Sequence, residues 1–185
     1  MEIESYTDED GNRVTIWQDE FFDSNPRDWD NLGVMACWHK RYDLGDEQPQ
    51  CSPDEYMEDL PKGTVILPLY LYDHSGITMS TSAFSCPWDS GQVGIIYATP
   101  DRIRECFIDR VSDDRVRESL VHEVETYDMH LTGEVYGYSV EKPVGCEACG
   151  NVEYEQVDAC GGFFGDDGIA EIKAEYPPIK EVVVA

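Results

Sequence analysis

The chain has 185 residues, enough for one domain with its own core. It carries 39 acidic against 13 basic residues, a net charge of −26, while 41% hydrophobic and 11% aromatic residues argue against wholesale disorder. That acidity excludes a general basic surface for nucleic acid and disfavours anionic membranes, because both would be repelled. No apolar run approaches the roughly 20 residues that span a bilayer, and MEIESYTDED has neither a basic nor an apolar signal region, so a cytoplasmic protein is expected.

In chain order, Glu2–Tyr6 and Arg13–Gln18 flank an Asp-Gly turn and predict a β-hairpin. Leu32–Trp38 is a short apolar run that predicts a buried strand. Asp43–Leu60 reads as an acidic loop with one helical turn after Ser52-Pro53. Thr64–Tyr72 is the strongest strand, and its Pro68 predicts an edge position or a bulge. Gln92–Ala98 is another strand. Thr99-Pro100-Asp101 then opens a helix to about residue 108. Ser112-Asp113-Asp114 opens a longer one over about 113–131, stopped by Gly133. Its Val116, Leu120, Val124, Tyr127 and Leu131 form one apolar stripe. Val135–Glu141 returns as a strand. Ile169–Tyr176 is expected as another, with Ala170, Ile172, Ala174 and Tyr176 on its buried face, and Val182–Val184 is a short apolar tail. The order strands, helices, strands predicts an α+β fold, a single domain over 1–185 with a mostly antiparallel sheet.

The charge is uneven along this pattern. Residues 1–60 hold 17 acids against 4 bases, and 131–185 hold 11 against 3, but 61–98 hold only 2 against 1. Three readings of the acidity stay open. Salt adaptation is favoured, since Lys (5) is rarer than Arg (8) and a Debye length of ~3 Å in molar salt tolerates self-repulsion. Nucleic-acid mimicry by carboxylates is the second. A calcium-binding or ordinary acidic surface is the third, though no acidic stretch matches the EF-hand loop. A segment spared by a whole-surface bias is either buried or tied to a specific task.

That spared segment holds the first chemical constellation. Tyr72-Asp73-His74-Ser75-Gly76 ends the strongest strand, and Cys86-Pro87-Trp88-Asp89-Ser90-Gly91 follows. Cys86 and His74 are candidates for a thiolate–imidazolium pair, with Asp73 or Asp89 to orient the imidazole. The same loops read as structural turns, or as a ligand-binding surface built from His74, Ser75, Trp88, Asp89 and Ser90. A second constellation is Cys146-Glu147-Ala148-Cys149-Gly150 with Cys160. Its C-x-x-C-G turn has the form of a zinc knuckle near 146–160, with one structural zinc on Cys146, Cys149 and Cys160 and a remote fourth ligand, Cys37 or His39. An odd count of 7 Cys without a secretion signal argues against a disulfide scaffold. Glu118, His122, Glu125 and Met129 share one stripe of the long helix, but it points away from the apolar stripe and reads as solvated. No P-loop, dinucleotide fingerprint, GxSxG elbow or HExxH is present.

Several words of the sequence carry a resemblance. They are Trp29–Gly33, Arg41–Asp46, Pro68–Gly76 (PLYLYDHSG), Cys86–Gly94 (CPWDSGQVG), Tyr127-Asp128 and Leu131–Gly137 (LTGEVYG). In these the chain resembles a family of uncharacterised proteins of bacteriophages, archaeal viruses and mobile elements. Cys160–Gly165 resembles the family's closing word, from which Gly162 departs, and the Cys146–Cys149 knuckle lies outside the resemblance. The family carries no established activity, so the resemblance implies only origin in a virus or mobile element and work in the host cytoplasm. The expectation is an accessory protein acting by protein interaction, with a host protein as partner, possible targets being a host defence or nucleic-acid enzyme. The alternative is a small hydrolase or transferase using the 73–91 loops. No membrane and no direct nucleic-acid contact is expected.

Overall fold

The computed structural model describes residues 1–145 and 151–179. In chain order the elements are β1 (Glu2–Thr7), β2 (Arg13–Gln18), β3 (Val34–Cys37), α1 (Pro53–Glu58), β4 (Val65–Asp73), β5 (Ile77–Ser80), β6 (Ser90–Ala98), α2 (Pro100–Cys106), α3 (Asp113–Thr132), β7 (Val135–Gly145), β8 (Val152–Phe164) and α4 (Gly165–Glu175). The fold is α+β and mostly antiparallel sheet. The chain divides into two compact units, one built from residues 1–23 and the chain from Gly133 onward, the other from Ser24–Thr132. Among the described residues no helix is long and apolar enough to cross a membrane.

The first unit is a sheet in the order β1-β2-β7-β8, with every pair antiparallel. Its hairpin turn is held by Asp8, whose buried carboxylate accepts from the backbone N–H of Asp10 and Asn12 and from the Asn12 side chain, at 2.7–3.0 Å. This aspartate of the acidic N-terminal word is therefore structural. Val14 and Ile16 of β2 share one face with Tyr138 and Val140 of β7, and α4 lays Ile172 on them. Here one expectation is corrected. Ile169–Tyr176 is not a strand but the second half of α4 with Tyr176 as its C-cap, because Ile169, Ile172 and Tyr176 fall at helical spacing and pack together, while Ala170 and Ala174 are exposed. Alternation of small and charged residues mimicked a strand. A second correction concerns 146–160: Val152–Cys160 is strand rather than knuckle loop, paired with β7. Cys146, Cys149 and Val182–Val184 lie outside the described residues.

The second unit is a sheet in the order β3-β6-β4-β5. Pro68 sits in β4, which lies between β6 and β5, yet β5 pairs only with Tyr70–Asp73. At Pro68 the strand has a neighbour on one side only, so its missing N–H costs no ladder bond. Helix α2 starts at the Thr99 cap, whose hydroxyl accepts from the Arg102 N–H at 3.4 Å. Helix α3 buries Val116, Leu120, Val124 and Tyr127 against Met35, Leu69 and Ile96, each such side chain contributing about 1.5–3 kcal/mol. Gly133 ends it with φ +77°. Its Glu118, His122 and Glu125 are exposed, as the helical phase requires.

Glu123 on the same helix points elsewhere. It pairs with Arg27, whose side chain is 3% exposed, at 3.1 Å, and it accepts from the N–H of Leu32 and Gly33. Asp46 takes the other side of the guanidinium at 2.7 and 3.0 Å and accepts from the Met35 N–H. Burial alone would pull the guanidinium down, but the hydrogen bonds and charges of Asp46 and Glu123 outweigh it and hold its pKa above the ordinary value.

Candidate functional site

Antiparallel pairing gathers three loops at one end of the second sheet. Tyr72 at the end of β4 is opposite Ser90 at the start of β6, and the Asp73 N–H donates to the Asp89 carbonyl at 2.8 Å. The β4–β5 hairpin puts His74-Ser75-Gly76 at its tip, where Ser75 adopts φ 61° and the His74 N–H donates to the Gly76 carbonyl. The chain leaving β3 runs alongside, the Trp38 N–H donating to the Val93 carbonyl at 2.7 Å, and brings in His39, Arg41 and Tyr42. The two chemical words of the 61–98 segment therefore meet, as their shared strand ends dictate.

The polar groups at this end are paired with one another. Asp73 accepts from the Tyr42 hydroxyl at 3.2 Å and faces the Arg41 guanidinium at 3.4 Å. His39 stacks on Tyr42 with ring centres 5.1 Å apart, and its Nδ1 accepts from the N–H of Arg41 and Tyr42. The acceptor role at Nδ1 leaves the ring proton on Nε2. Asp89 Oδ2 lies 3.5 Å from Cys86 Sγ and 3.5 Å from His74 Nδ1. The Ser90 hydroxyl donates to the Cys86 carbonyl at 2.5 Å and closes the loop. His74 in turn stacks beside Tyr72, which packs on Phe84.

Cys86, His74 and Asp89 are thus neighbours, but in an order that differs from the expected pair. A thiol nucleophile needs a base that takes its proton directly. Here the thiol donates to the carboxylate, and the imidazole faces the same oxygen. Asp73 is turned to Arg41 and Tyr42 rather than to His74. The arrangement staples the 86–90 loop to the hairpin tip.

Beside the staple is an open pocket of about 360 Å³ lined by His39, Leu71, Asp73, Trp88, Asp89, Ser90, Gly91 and Val93. His74, Ser75 and Cys86 are not among its lining residues. Trp88 is 91% exposed. Val93 also lines a second pocket of about 270 Å³, formed by Trp38, Pro53, Met57 and Ile95 among others. Of the expected ligand-binding residues, Trp88, Asp89 and Ser90 face the first pocket. His39, Arg41 and Tyr42 are the additions, and the word Arg41–Asp46 was the signal that held two of them.

Two of the expected zinc ligands, Cys146 and Cys149, lie outside the described residues. Among the described residues no three ligand-type side chains cluster as a cation would need. Cys160 is exposed on β8, opposite Tyr138. Cys37 is buried in the core, and burial pushes its thiol up to about 12. No protein-family model, no curated protein and no solved structure matches this chain.

Proposed function

We propose that this protein is an accessory factor of a virus or mobile element that works by binding a host protein, with the 73–91 end as its contact surface. One observation carries the reading: an indole 91% exposed on the rim of a concave pocket whose polar groups are already paired. A tryptophan left in water is costly, and such side chains are the commonest anchors of interfaces. Pre-paired carboxylates and the Ser90–Cys86 hydrogen bond fix the loop that carries it, which lowers the ordering cost of the backbone on binding. Salt adaptation remains the proposed origin of the acidity, and a structural zinc at Cys146, Cys149 and Cys160 is tested by metal content of protein prepared without chelator.

The test is capture from host lysate at native salt, comparing the wild type with Trp88→Ala. A discrete partner retained by the wild type and lost in the variant is the expected result. Identical captured sets from both proteins would defeat the proposal. The shared Asp89 oxygen between Cys86 and His74 favours a second reading, a small hydrolase or transferase at the same loops. Cys86→Ser separates the two: its hydroxyl keeps a donor for Asp89, so partner capture is unchanged under the first reading, whereas under the second the wild type hydrolyses thioester or ester probes and the variant does not.

A further inference from the structure

The β7–β8 hairpin runs past the rest of its sheet. Pairing of β2 with β7 ends at Arg13 opposite Glu141, where the neighbouring chain turns back through Asp8–Asn12. Beyond that point, among the described residues, 142–145 pair only with 152–155. A lone two-stranded ribbon is marginal in water. This one also presents Val144, Val152, Tyr154 and Val157 at 43–57% exposure.

Strand β8 is the edge of its sheet and is 13 residues long, about twice the usual length. Natural edges are blunted by proline, lysine or bulges. Between Val152 and Gln156 this strand has none of them; its own two bulges follow, with Val157 and Gly162 as the extra residues. The two faces differ. Tyr154, under the Arg13 guanidinium at 3.9 Å, shares one face with Val152 and Gln156, and Glu153 and Glu155 take the other. Of the nearby acids, Glu141 is bound to Arg13, and Asp158 accepts from Tyr138 and Tyr176. Glu153 and Glu155 are the exposed carboxylates at the edge.

We propose that the outer edge of β8, residues 152–156, takes an extended basic polypeptide segment as an added strand. Main-chain hydrogen bonds supply the attachment, and alternate side chains supply the choice. Apolar residues of the segment cover Val152 and Tyr154, and lysine or arginine at the intervening positions meets Glu153 and Glu155. A second copy of this chain is the poorer occupant, because its own β8 brings the same two glutamates and the same net charge of −26. This surface is independent of the 73–91 contact.

The test uses the full chain and three synthetic peptides: alternating Val and Lys, the same with Glu for Lys, and the basic peptide interrupted by Pro. Amide exchange is followed by NMR. With the basic peptide, exchange at 152–156 slows about tenfold or more, as added ladder bonds require, and the acidic and Pro-containing peptides leave it unchanged. The double variant Glu153→Lys, Glu155→Lys weakens binding of the basic peptide about tenfold and accepts the acidic one, with retained protection in β2 and β7 as the check that it folds. Equal protection by acidic and basic peptides, protection by the Pro peptide, or none from any peptide overturns the proposal. So does a concentration-dependent dimer by sedimentation with 152–156 already protected.

Discussion

The second unit contains two groups of acids and bases that look alike in the sequence and behave in opposite ways. Around Arg27, one guanidinium holds Asp46 and Glu123, and the two carboxylates reach on to the backbone N–H groups of Leu32, Gly33 and Met35. Around Asp73 and Asp89 the contacts with Arg41 and His74 are longer, at 3.4 and 3.5 Å, and open to water. The first group is an internal splice that ties the chain before β3 to α3. The second shapes a surface. The difference is dielectric: the same charges interact strongly where water is excluded and weakly where it is not.

The contrast predicts a ranking of effects. Arg27→Met leaves two carboxylates facing each other with no cation, and about 3–5 kcal/mol of stability is expected to vanish, read from urea unfolding at the working salt. A loss below 1 kcal/mol would make the splice no stronger than the surface pairs. Gly33→Ala comes next. A Cβ there meets Leu120 at 2.6 Å and Ile96 at 2.8 Å, so overpacking is expected to cost about 1–3 kcal/mol, seen as a lower thermal midpoint.

Part of the alkaline pH dependence comes from Cys37, packed in the same core, alongside tyrosines such as Tyr56, Tyr127 and Tyr138 that burial also raises. Burial raises its thiol from 9.0 to about 12, so the folded state favours the protonated form. Its contribution is complete below pH 9 and drains away as pH rises toward 12. Urea midpoints at pH 7, 9 and 11 are expected to stay level and then fall, and Cys37→Ala is expected to flatten part of that fall. In the native protein at pH 8, a thiol reagent followed by mass spectrometry is expected to label exposed Cys106 and Cys160 before Cys37. Smallest of all, Asp73→Asn is expected to change stability by about 0–1 kcal/mol, because its partners are exposed. If that variant unfolds the chain, the open end is a structural splice too.

Much of the second unit was legible in local signals. The Thr99 and Ser112 caps, the Gly133 stop and the 116-120-124-127 stripe are short-range features of helices, and each reappears in α2 and α3. The Arg27 splice was not legible. Its members are scattered over nearly a hundred residues, and only Asp46 stood in a notable word. With the fold in hand, those words separate into two kinds. Gly33, Gly45, Asp46, Tyr127 and Asp128 hold backbone: Tyr127 accepts from the Gly45 N–H at 3.2 Å, and Asp128 from the Met79 N–H at 2.6 Å. Arg41, Tyr42, Asp73, Trp88 and Asp89 instead meet at the open end. Strand β8 escaped notice because both faces of its outer half are exposed, which erases the alternation that marks a half-buried strand.

Composition and periodicity determined the α+β class, the two central helices and the near-neutral segment where the candidate site lies. Those properties depend on neighbours a few residues apart. Tertiary structure decided which charges are internal and which face solvent, and that the Cys86 thiol meets Asp89 before His74. It also decided that the chain after Phe164 is helix, because only packing against Tyr138 and Val140 tells Ile172 which period to follow. Burial is a property of the assembled fold, and no local window contains it.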